Sequence, residues 1–296
     1  MILNNNSSDQ FGNDILTSSL IELAKELEKA DVPLIVGGGL SLYLRTTLFK
    51  KKYSPRYPKR VLQRSTKDID IFLSSDLIID SAKIELIRNA LKKLNYEPVT
   101  KFFQFSKSIT PDRNILVDIL SAPPPEEDTD KIKFRGVRIK PVGIEEFHAR
   151  LVKEAKDINL GSIPINDFSN LKKNVNISNL FIPSSFNYII LKLHAFNDRV
   201  NDSSVEYGQH HAYDIFATVT DMDEDDWKNA EHHFSLCKDF EYIKSAQNIV
   251  SNNFSNKDNM GIIRLQESKL YQRFKTEYDS YIMNFIGDLK TLFDIK

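Results

Sequence analysis

The stretch TKDIDIFL, residues 66–73, places two carboxylates inside a run that is otherwise typical of a buried β-strand. Side chains at positions i and i+2 of a strand point to the same face, so we expect Asp68 and Asp70 to project together while Ile69 and Ile71 enter the core. Two carboxylates this close repel each other and raise each other's pKa unless a cation lies between them. Mg²⁺, or Mn²⁺ in its place, suits such a pair because it is a hard ion that prefers carboxylate oxygen. The alternative is an exposed strand edge that carries two charges and binds no metal.

A third carboxylate, Asp118, lies in another strand-like run, ILVDIL at residues 115–120. A lone acid in such a run is costly to bury without a partner. If this strand lies beside the first one, three acids converge on one face of a sheet, an arrangement that can hold two metal ions for in-line phosphoryl transfer. Asp118 could instead end its strand and cap the segment that follows.

Three glycines, Gly37–Gly39, separate the apolar run VPLIV from LSLYLRTTLF, which has helical spacing. Backbone N–H groups in a glycine turn can approach an anion closely, and the N-terminus of the following helix adds its positive end. Ser41, in the first turn of that helix, could donate a hydroxyl as well. The turn is neither a dinucleotide fingerprint, which would need glycine at Leu42, nor a Walker A loop. Alone it could be a plain tight turn, but beside the acids it indicates a site for a triphosphate.

The order of elements indicates an α+β chain with two domains. The predicted elements of the first part are helix 14–30, strand VPLIV, helix 40–49, strand DIDIFL, helix 76–95 and strands VTKFFQFS and NILVDILS. Three consecutive prolines then break the pattern, and KIKFRGVRIK predicts a strand pair or one strand kinked at Gly136. From residue 143 the periodicity is helical, beginning with IEEFHARLVKEA. We therefore predict an α/β domain with a mixed sheet flanked by helices over 1–142 and an α-helical domain over 143–296, which contributes to the active-site cleft.

Charge and composition narrow the classes of function. The 296 residues carry a formal net charge of -1, so we expect no overall positive potential that would attract nucleic acid. The chain has one cysteine, Cys237, so it cannot form an internal disulfide. No membrane span or signal peptide is predicted, and we expect a cytoplasmic protein. The charge is nevertheless uneven, because residues 45–67 contain nine Lys/Arg and no Asp/Glu, whereas residues 221–226 read DMDEDD. The basic segment could bind phosphate or nucleic acid or be a solvated loop, and the acidic run is typical of a loop or a helix cap.

This pattern resembles the nucleotidyltransferase superfamily of DNA polymerase β type. It is most similar to the AbiEii/MenT group, the toxins of type IV toxin–antitoxin and abortive-infection systems. The matching segments are GGLSL at 38–42, RSTKDID at 64–70, KLHAFNDR at 192–199 and Asp214-Ile215. The basic segment between the first two is longer than the usual spacing in that group, and Asp118 matches the third carboxylate of the superfamily rather than a motif of the group.

The resemblance implies a role for each matching residue. The implied metal ligands are Asp68, Asp70 and Asp118; the implied nucleotide contacts are Gly38, Gly39, Ser41, Arg64, Thr66 and Arg199; Lys192 and Asp214 complete the catalytic set. From the residues alone, Lys192 and Arg199 could face one anion or form ordinary salt bridges, and Asp214 would pair with one of these cations. The adjacent histidine pairs have poor geometry for zinc, although His211 could orient Asp214.

We therefore expect a metal-dependent nucleotidyltransferase that transfers NMP from an NTP to an acceptor hydroxyl. The resemblance implies tRNA as the acceptor and a cognate antitoxin as a protein partner, without a membrane. A small-molecule nucleotidyltransferase of the antibiotic-modifying type is one alternative, but it would need an acidic pocket for a cationic sugar. A non-catalytic nucleotide-binding or interaction protein that keeps the fold is another, but it would be expected to lose at least one of the three acids.

Overall fold

A computed structural model of the protein describes residues 7–49, 56–99, 102–171, 175–206 and 208–295. The chain forms two compact units. The sheet unit comprises residues 1–49 and 65–183, and the helical unit comprises residues 50–64 and 184–296. The α+β class is confirmed. The boundary differs from the predicted one at 142, because the chain between 143 and 183 adds three strands to the sheet.

Ten strands of the described residues form one mixed sheet in the sheet unit. They are β1 (Leu34–Val36), β2 (Asp68–Leu73), β3 (Glu97–Pro98), β4 (Gln104–Thr110), β5 (Arg113–Ser121), β6 (Ile132–Arg135), β7 (Arg138–Pro141), β8 (Ala149–Leu151), β9 (Ile163–Pro164) and β10 (Leu180–Ile182). Their order is β6-β7-β8-β5-β2-β1-β10-β9, with β4 also paired to β5 and β3 paired to β4. The central pair, β2 and β5, is parallel.

Four helices accompany this sheet: α1 (Ser7–Glu28), α2 (Gly38–Leu48), α3 (Ser75–Ile79) and α4 (Ser81–Lys93). Apolar side chains from α1, α2 and α4 form one buried core with those of β2 and β5, including Leu23, Leu44, Ile87, Ile71 and Val117. One face of the central strands is therefore used for packing, which leaves the other face for polar residues.

The predicted helix over 76–95 is two helices. The break falls at Asp80, whose side chain accepts a hydrogen bond from the backbone N–H of Lys83 and so caps α4. An aspartate just before a helix accepts a hydrogen bond from one of the unpaired backbone N–H groups of the first helical turn. Asp80 therefore favours the start of a second helix here.

The prediction of a helix over IEEFHARLVKEA is wrong. The segment contains β8, which pairs in parallel with β5 and antiparallel with β7, followed by a 3₁₀ turn at Lys153–Ala155. Ile144, Phe147 and Leu151 are spaced at i, i+3 and i+7, which resembles the apolar stripe of a helix. Backbone pairing with two strands outweighs this local preference, because propensity is a weak prior against tertiary context. Further 3₁₀ turns lie at Glu126–Lys131, Ser169–Leu171 and Ser203–Val205.

The predicted strand pair in KIKFRGVRIK is a hairpin. β6 and β7 are antiparallel, with Arg135 opposite Arg138 across the turn. Gly136 in this turn has φ +63°, a left-handed conformation that favours glycine. The kinked single strand is therefore the alternative that the structure excludes.

The helical unit contains eight α-helices among the described residues. They are α5 (Ser185–Arg199), α6 (Gln209–Asp221), α7 (Glu224–Cys237), α8 (Glu241–Asn253), α9 (Met260–Glu267), α10 (Lys269–Arg273), α11 (Lys275–Asp279) and α12 (Ile282–Leu292). The Phe216 ring lies at the centre of this unit, with ring centroids of Tyr278 and Phe285 at 5.5 and 5.3 Å. The acidic run is a helix cap, as one of its two interpretations predicted, since Asp223 and Asp226 form a capping box at the start of α7. No helix in the described ranges is long and apolar enough to cross a membrane.

Candidate functional site

Asp68, Asp70 and Asp118 lie on one face of the sheet at its centre. In the parallel register of β2 and β5, Asp70 is opposite Asp118, and Asp68 is two residues earlier on the same strand. All three are partly exposed, whereas Ile69 and Val117 beside them are fully buried on the opposite face. Adjacent strands lie about 4.8 Å apart, so the backbones that carry Asp70 and Asp118 are direct neighbours. The structure thus brings the three predicted acids together on one face.

Two polar side chains orient the outer members of this group. The hydroxyl Oγ1 of Thr66 donates to Oδ1 of Asp68 at 2.9 Å, and Nε2 of Gln104 donates to Oδ1 of Asp118 at 2.8 Å. Thr66 is itself buried, so its hydroxyl is fixed on the carboxylate. The predicted nucleotide contact Thr66 therefore acts in the structure as a positioning residue for Asp68.

Burial raises the pKa of Asp118 above its ordinary value. The Gln104 hydrogen bond and the charge of Arg150 oppose this rise, while the negative charge of Asp68 adds to it. A carboxyl group with a raised pKa holds a proton more readily, which is the property that a general base near neutral pH needs.

The glycine turn lies directly against Asp70. Gly38 has φ +60°, and a Cβ built there would lie 2.8 Å from Cγ of Asp70 and closer still to its Oδ2. The N–H of Gly37 donates to the backbone oxygen of Asp70 at 2.9 Å, and a Cβ at Gly37 would overlap the ring of Phe72. Only glycine fits at both positions without displacing the side chains of Phe72 and Asp70, so the turn and the aspartates form one structural feature.

Gly39 and Ser41 lie inside α2 and are buried. The hydroxyl of Ser41 donates back to the backbone oxygen of Gly38 at 3.0 Å. In this arrangement Ser41 stabilises the turn, and it presents no exposed hydroxyl to a ligand. The predicted role of Ser41 in triphosphate binding stays a prediction, and the structure adds to it a role in holding the turn.

The chemistry of the donor set fits a hard divalent cation. Three carboxylates share a face, and the effect of Asp68 on the pKa of Asp118 is a repulsion that a cation would relieve. Within the described residues, no group of three or more His, Cys, Asp or Glu side chains is arranged so that it could hold a metal ion by itself. Mg²⁺ commonly takes one or two carboxylates and completes its shell with water and substrate phosphate, so an open set is the arrangement expected for it.

Asp214 carries the second predicted part of the site, in the helical unit. It is fully buried on α6 and accepts hydrogen bonds from Nε and Nη2 of Arg64 at 2.8 and 3.0 Å. Nζ of Lys192, on α5, lies 2.8 Å from Oδ2 of the same carboxylate. Burial by itself would raise the pKa of Asp214, but the charges of Arg64 and Lys192 outweigh it and hold this pKa below its usual range.

Arg199 and His211 lie close to this cluster. His211 is neutral at pH 7, because burial and then the charge of Lys192 lower its pKa to about 3. The charge of Arg199 adds to this effect. Lys192 pairs with Asp214, as one of the two alternatives predicted, and the second partner of this carboxylate is Arg64. Joint action of Lys192 and Arg199 on one anion stays a prediction.

The basic segment is largely neutralised where it is described. Within the helical unit, Lys59 pairs with Glu277 at 2.9 Å and Arg60 pairs with Asp221 at 2.8 Å. Arg56 pairs with Asp288 in the same way. Residues 50–55 of this segment lie outside the described residues. The described part is therefore held by ion pairs to its own unit, while the side chains of Arg56 and Lys59 stay more than half exposed.

Two residues of the aspartate face were not predicted. Gln104 lies opposite Asp118 on β4, and Arg150 lies opposite Leu120 on β8. The alternation of Gln104 with two phenylalanines was the available signal for the first. No such signal existed for Arg150, because its segment has a helical pattern.

Comparison with known proteins adds no assignment. No protein-family model matches the sequence, and no curated protein matches it significantly.

Proposed function

We propose that the protein is a metal-dependent nucleotidyltransferase that transfers NMP from an NTP to a hydroxyl group of an RNA acceptor. The observation that carries the proposal is the contact of the Gly37–Gly38 turn with Asp70, on the strand that also bears Asp68 and is registered with Asp118. A helix start with its partial positive charge and a set of three carboxylates are thereby joined in one place. The first can face phosphate oxygens, and the second suits the cation that accompanies a triphosphate.

Each side chain then has a chemical task. Asp70 and Asp68, the latter oriented by Thr66, would hold the cation, which would neutralise the phosphate charge. Asp118 accepts the proton of the acceptor hydroxyl, a task favoured by its raised pKa. The oxygen of that hydroxyl forms the new bond to the α-phosphorus, the bond from this phosphorus to the bridging oxygen breaks, and pyrophosphate leaves. Positioning and electrostatic stabilisation supply most of the rate enhancement in such reactions.

The test is transfer of label from each α-labelled NTP in the presence of Mg²⁺ and total RNA. We expect label in RNA, and we expect Asp70→Asn to lower the rate at least a hundredfold, on the order of the loss of one electrostatic contact in a transition state. Asp76→Asn is the matched control, since Asp76 is an exposed carboxylate of the same unit on α3. Absence of transfer by a protein that binds NTP, or full activity of the Asp70 variant, would refute the proposal.

A further inference from the structure

A row of basic side chains continues the aspartate face toward the edge of the sheet. Leu120, two residues after Asp118, is opposite Arg150, which is in turn opposite Arg138. Arg138 is opposite Arg135 across the hairpin. Residues opposite each other on paired strands project to the same side, so these arginines lie on the face that bears Asp118.

Two lysines extend the row along the hairpin. Lys140 follows Arg138 by two residues and is opposite Lys133. We call the five residues the cationic face: Lys133, Arg135, Arg138, Lys140 and Arg150. The alternate side of the same strands is apolar and buried at Ile139 and Ala149, which fixes the direction of the basic side chains. The burial of one side is what makes this register specific.

The cationic face is accessible at three of its five residues. Lys133, Arg135 and Arg150 are exposed. Glu145 lies against it, with Lys140 at 2.7 Å, and the pKa of Glu145 is lowered by this hydrogen bond and charge and also by Arg135 and Lys133. Five basic residues thus share this face with Glu145 and Asp118, so positive charge predominates next to Asp118.

We infer that the cationic face binds the phosphodiester backbone of the RNA acceptor and leads its terminal hydroxyl to Asp118. This inference rests on the proposed function and names where its polymeric substrate lies. The residues of the cationic face are about 4.8 Å apart from strand to strand and about 6.6 Å apart along a strand, separations comparable to that of successive phosphates in a polynucleotide. A row of Lys and Arg at that spacing matches a linear polyanion, whereas a small substrate would not reach from Lys133 to Asp118.

The test compares RNA affinity by fluorescence anisotropy of labelled, unfractionated tRNA over a series of salt concentrations. The test variant is Lys133→Gln/Arg135→Gln/Arg150→Gln, which keeps Asp118 and its neighbours. We expect it to reduce the slope of log K against log salt by about 2, on the basis of about 0.7 per lost phosphate contact, and to weaken binding about a hundredfold at 0.1 M salt.

The matched control is Lys25→Gln/Lys29→Gln/Lys92→Gln. It makes the same change in net charge with three exposed lysines from α1, the turn that follows it and α4, outside the cationic face. We expect this control to bind RNA nearly as tightly as the wild type. A second variant, Glu145→Gln, removes the nearby acid and should tighten binding severalfold, which a variant that merely misfolds cannot do.

The outcomes separate this inference from the proposed function. Equal loss of affinity in test and control variants, or unchanged affinity in the test variant, overturns the cationic face even if NMP transfer is observed. The inference is also overturned if the test variant loses as much affinity for anionic lipid vesicles or for an acidic protein as it loses for RNA. RNA binding that depends on the cationic face supports it, and NMP transfer is then measured in a separate assay.

Discussion

Replacement of Asp214 by asparagine is the sharpest test of how the helical unit is held together. Asp214→Asn keeps the shape of the side chain but removes the negative charge that compensates those of Arg64 and Lys192. The Lys192 side chain is only 9% exposed, so water cannot replace the lost counter-ion. Removal of one partner from a buried ion pair costs about 3–5 kcal/mol, because it leaves an uncompensated buried charge.

The unfolding of this unit can be followed by itself. Trp227 is the only tryptophan of the chain and lies on α7, so its fluorescence reports on the helical unit. At a urea m-value of about 2 kcal/mol/M, a loss of about 3–5 kcal/mol moves the midpoint down by roughly 1.5–2.5 M. The measurement is a urea titration at pH 7 monitored by tryptophan emission.

A control substitution removes an exposed pair in the same unit. Glu267→Gln breaks an ion pair with Arg264, in which both side chains are partly exposed, and should cost less than about 1 kcal/mol. In Asp214→Asn, an added Lys192→Met removes the stranded cation and should recover part of the loss. A cost below about 1 kcal/mol for Asp214→Asn would refute the assignment of this carboxylate as a buried counter-ion.

The same prediction has a defined dependence on pH. The pKa of Asp214 is lowered in the folded state, since the charges of Arg64 and Lys192 overcome the effect of burial. Its stabilisation is therefore complete above the unfolded pKa of about 3.9 and is lost as the pH falls below that value toward the folded pKa. The difference between wild type and Asp214→Asn should be constant from pH 7 to about pH 5 and shrink at lower pH.

Three further substitutions test other contacts. The methyl group added by Gly38→Ala would overlap the Asp70 carboxylate, and the residue would keep a strained φ of +60°, so the sheet unit should lose at least about 1 kcal/mol of stability in thermal unfolding. We also expect loss of NMP transfer, even after refolding at low temperature. Asp118→Asn removes a charge that burial and a neighbouring acid disfavour, so transfer should be lost while the melting temperature at pH 7 stays equal or rises, an advantage that shrinks as the pH falls through the raised pKa. Tyr57→Phe deletes the 2.6 Å hydrogen bond to Asp288 and should lower the free energy of unfolding by about 1 kcal/mol, which a urea titration followed by tryptophan emission detects as a lower midpoint. An unchanged midpoint would show that the bond adds no stability.

Alternation along the chain predicted the local part of the fold well. β2 spans Asp68–Leu73, the run from which the strand was predicted, and its aspartates share the predicted face. This success has a physical reason, because a period of two fixes the side of each residue whatever the partner strand is. The hairpin of β6 and β7 was predicted as one of two alternatives for the same reason.

Long-range pairing was not accessible from such patterns. The segment around Arg150 has the spacing of a helix, and only the two strands beside it make it β8. The partner of Asp214 was expected among Lys192 and Arg199, yet Arg64 supplies two of its hydrogen bonds from 150 positions earlier in the chain. The sequence between two such residues contains no local signal for their contact.

The glycine turn and the RSTKDID motif depend on each other for their structure. A phosphate site was one explanation for consecutive glycines, but Gly37 and Gly38 are already required by Phe72 and Asp70, with no ligand involved. The turn therefore depends on β2, and β2 depends on the turn, since any side chain at Gly38 displaces the Asp70 carboxylate. Two motifs about thirty residues apart thus specify one geometry. Because each requires the other, we infer that the turn serves to position Asp70. Any contact of phosphate with this helix start would then depend on where Asp70 lies.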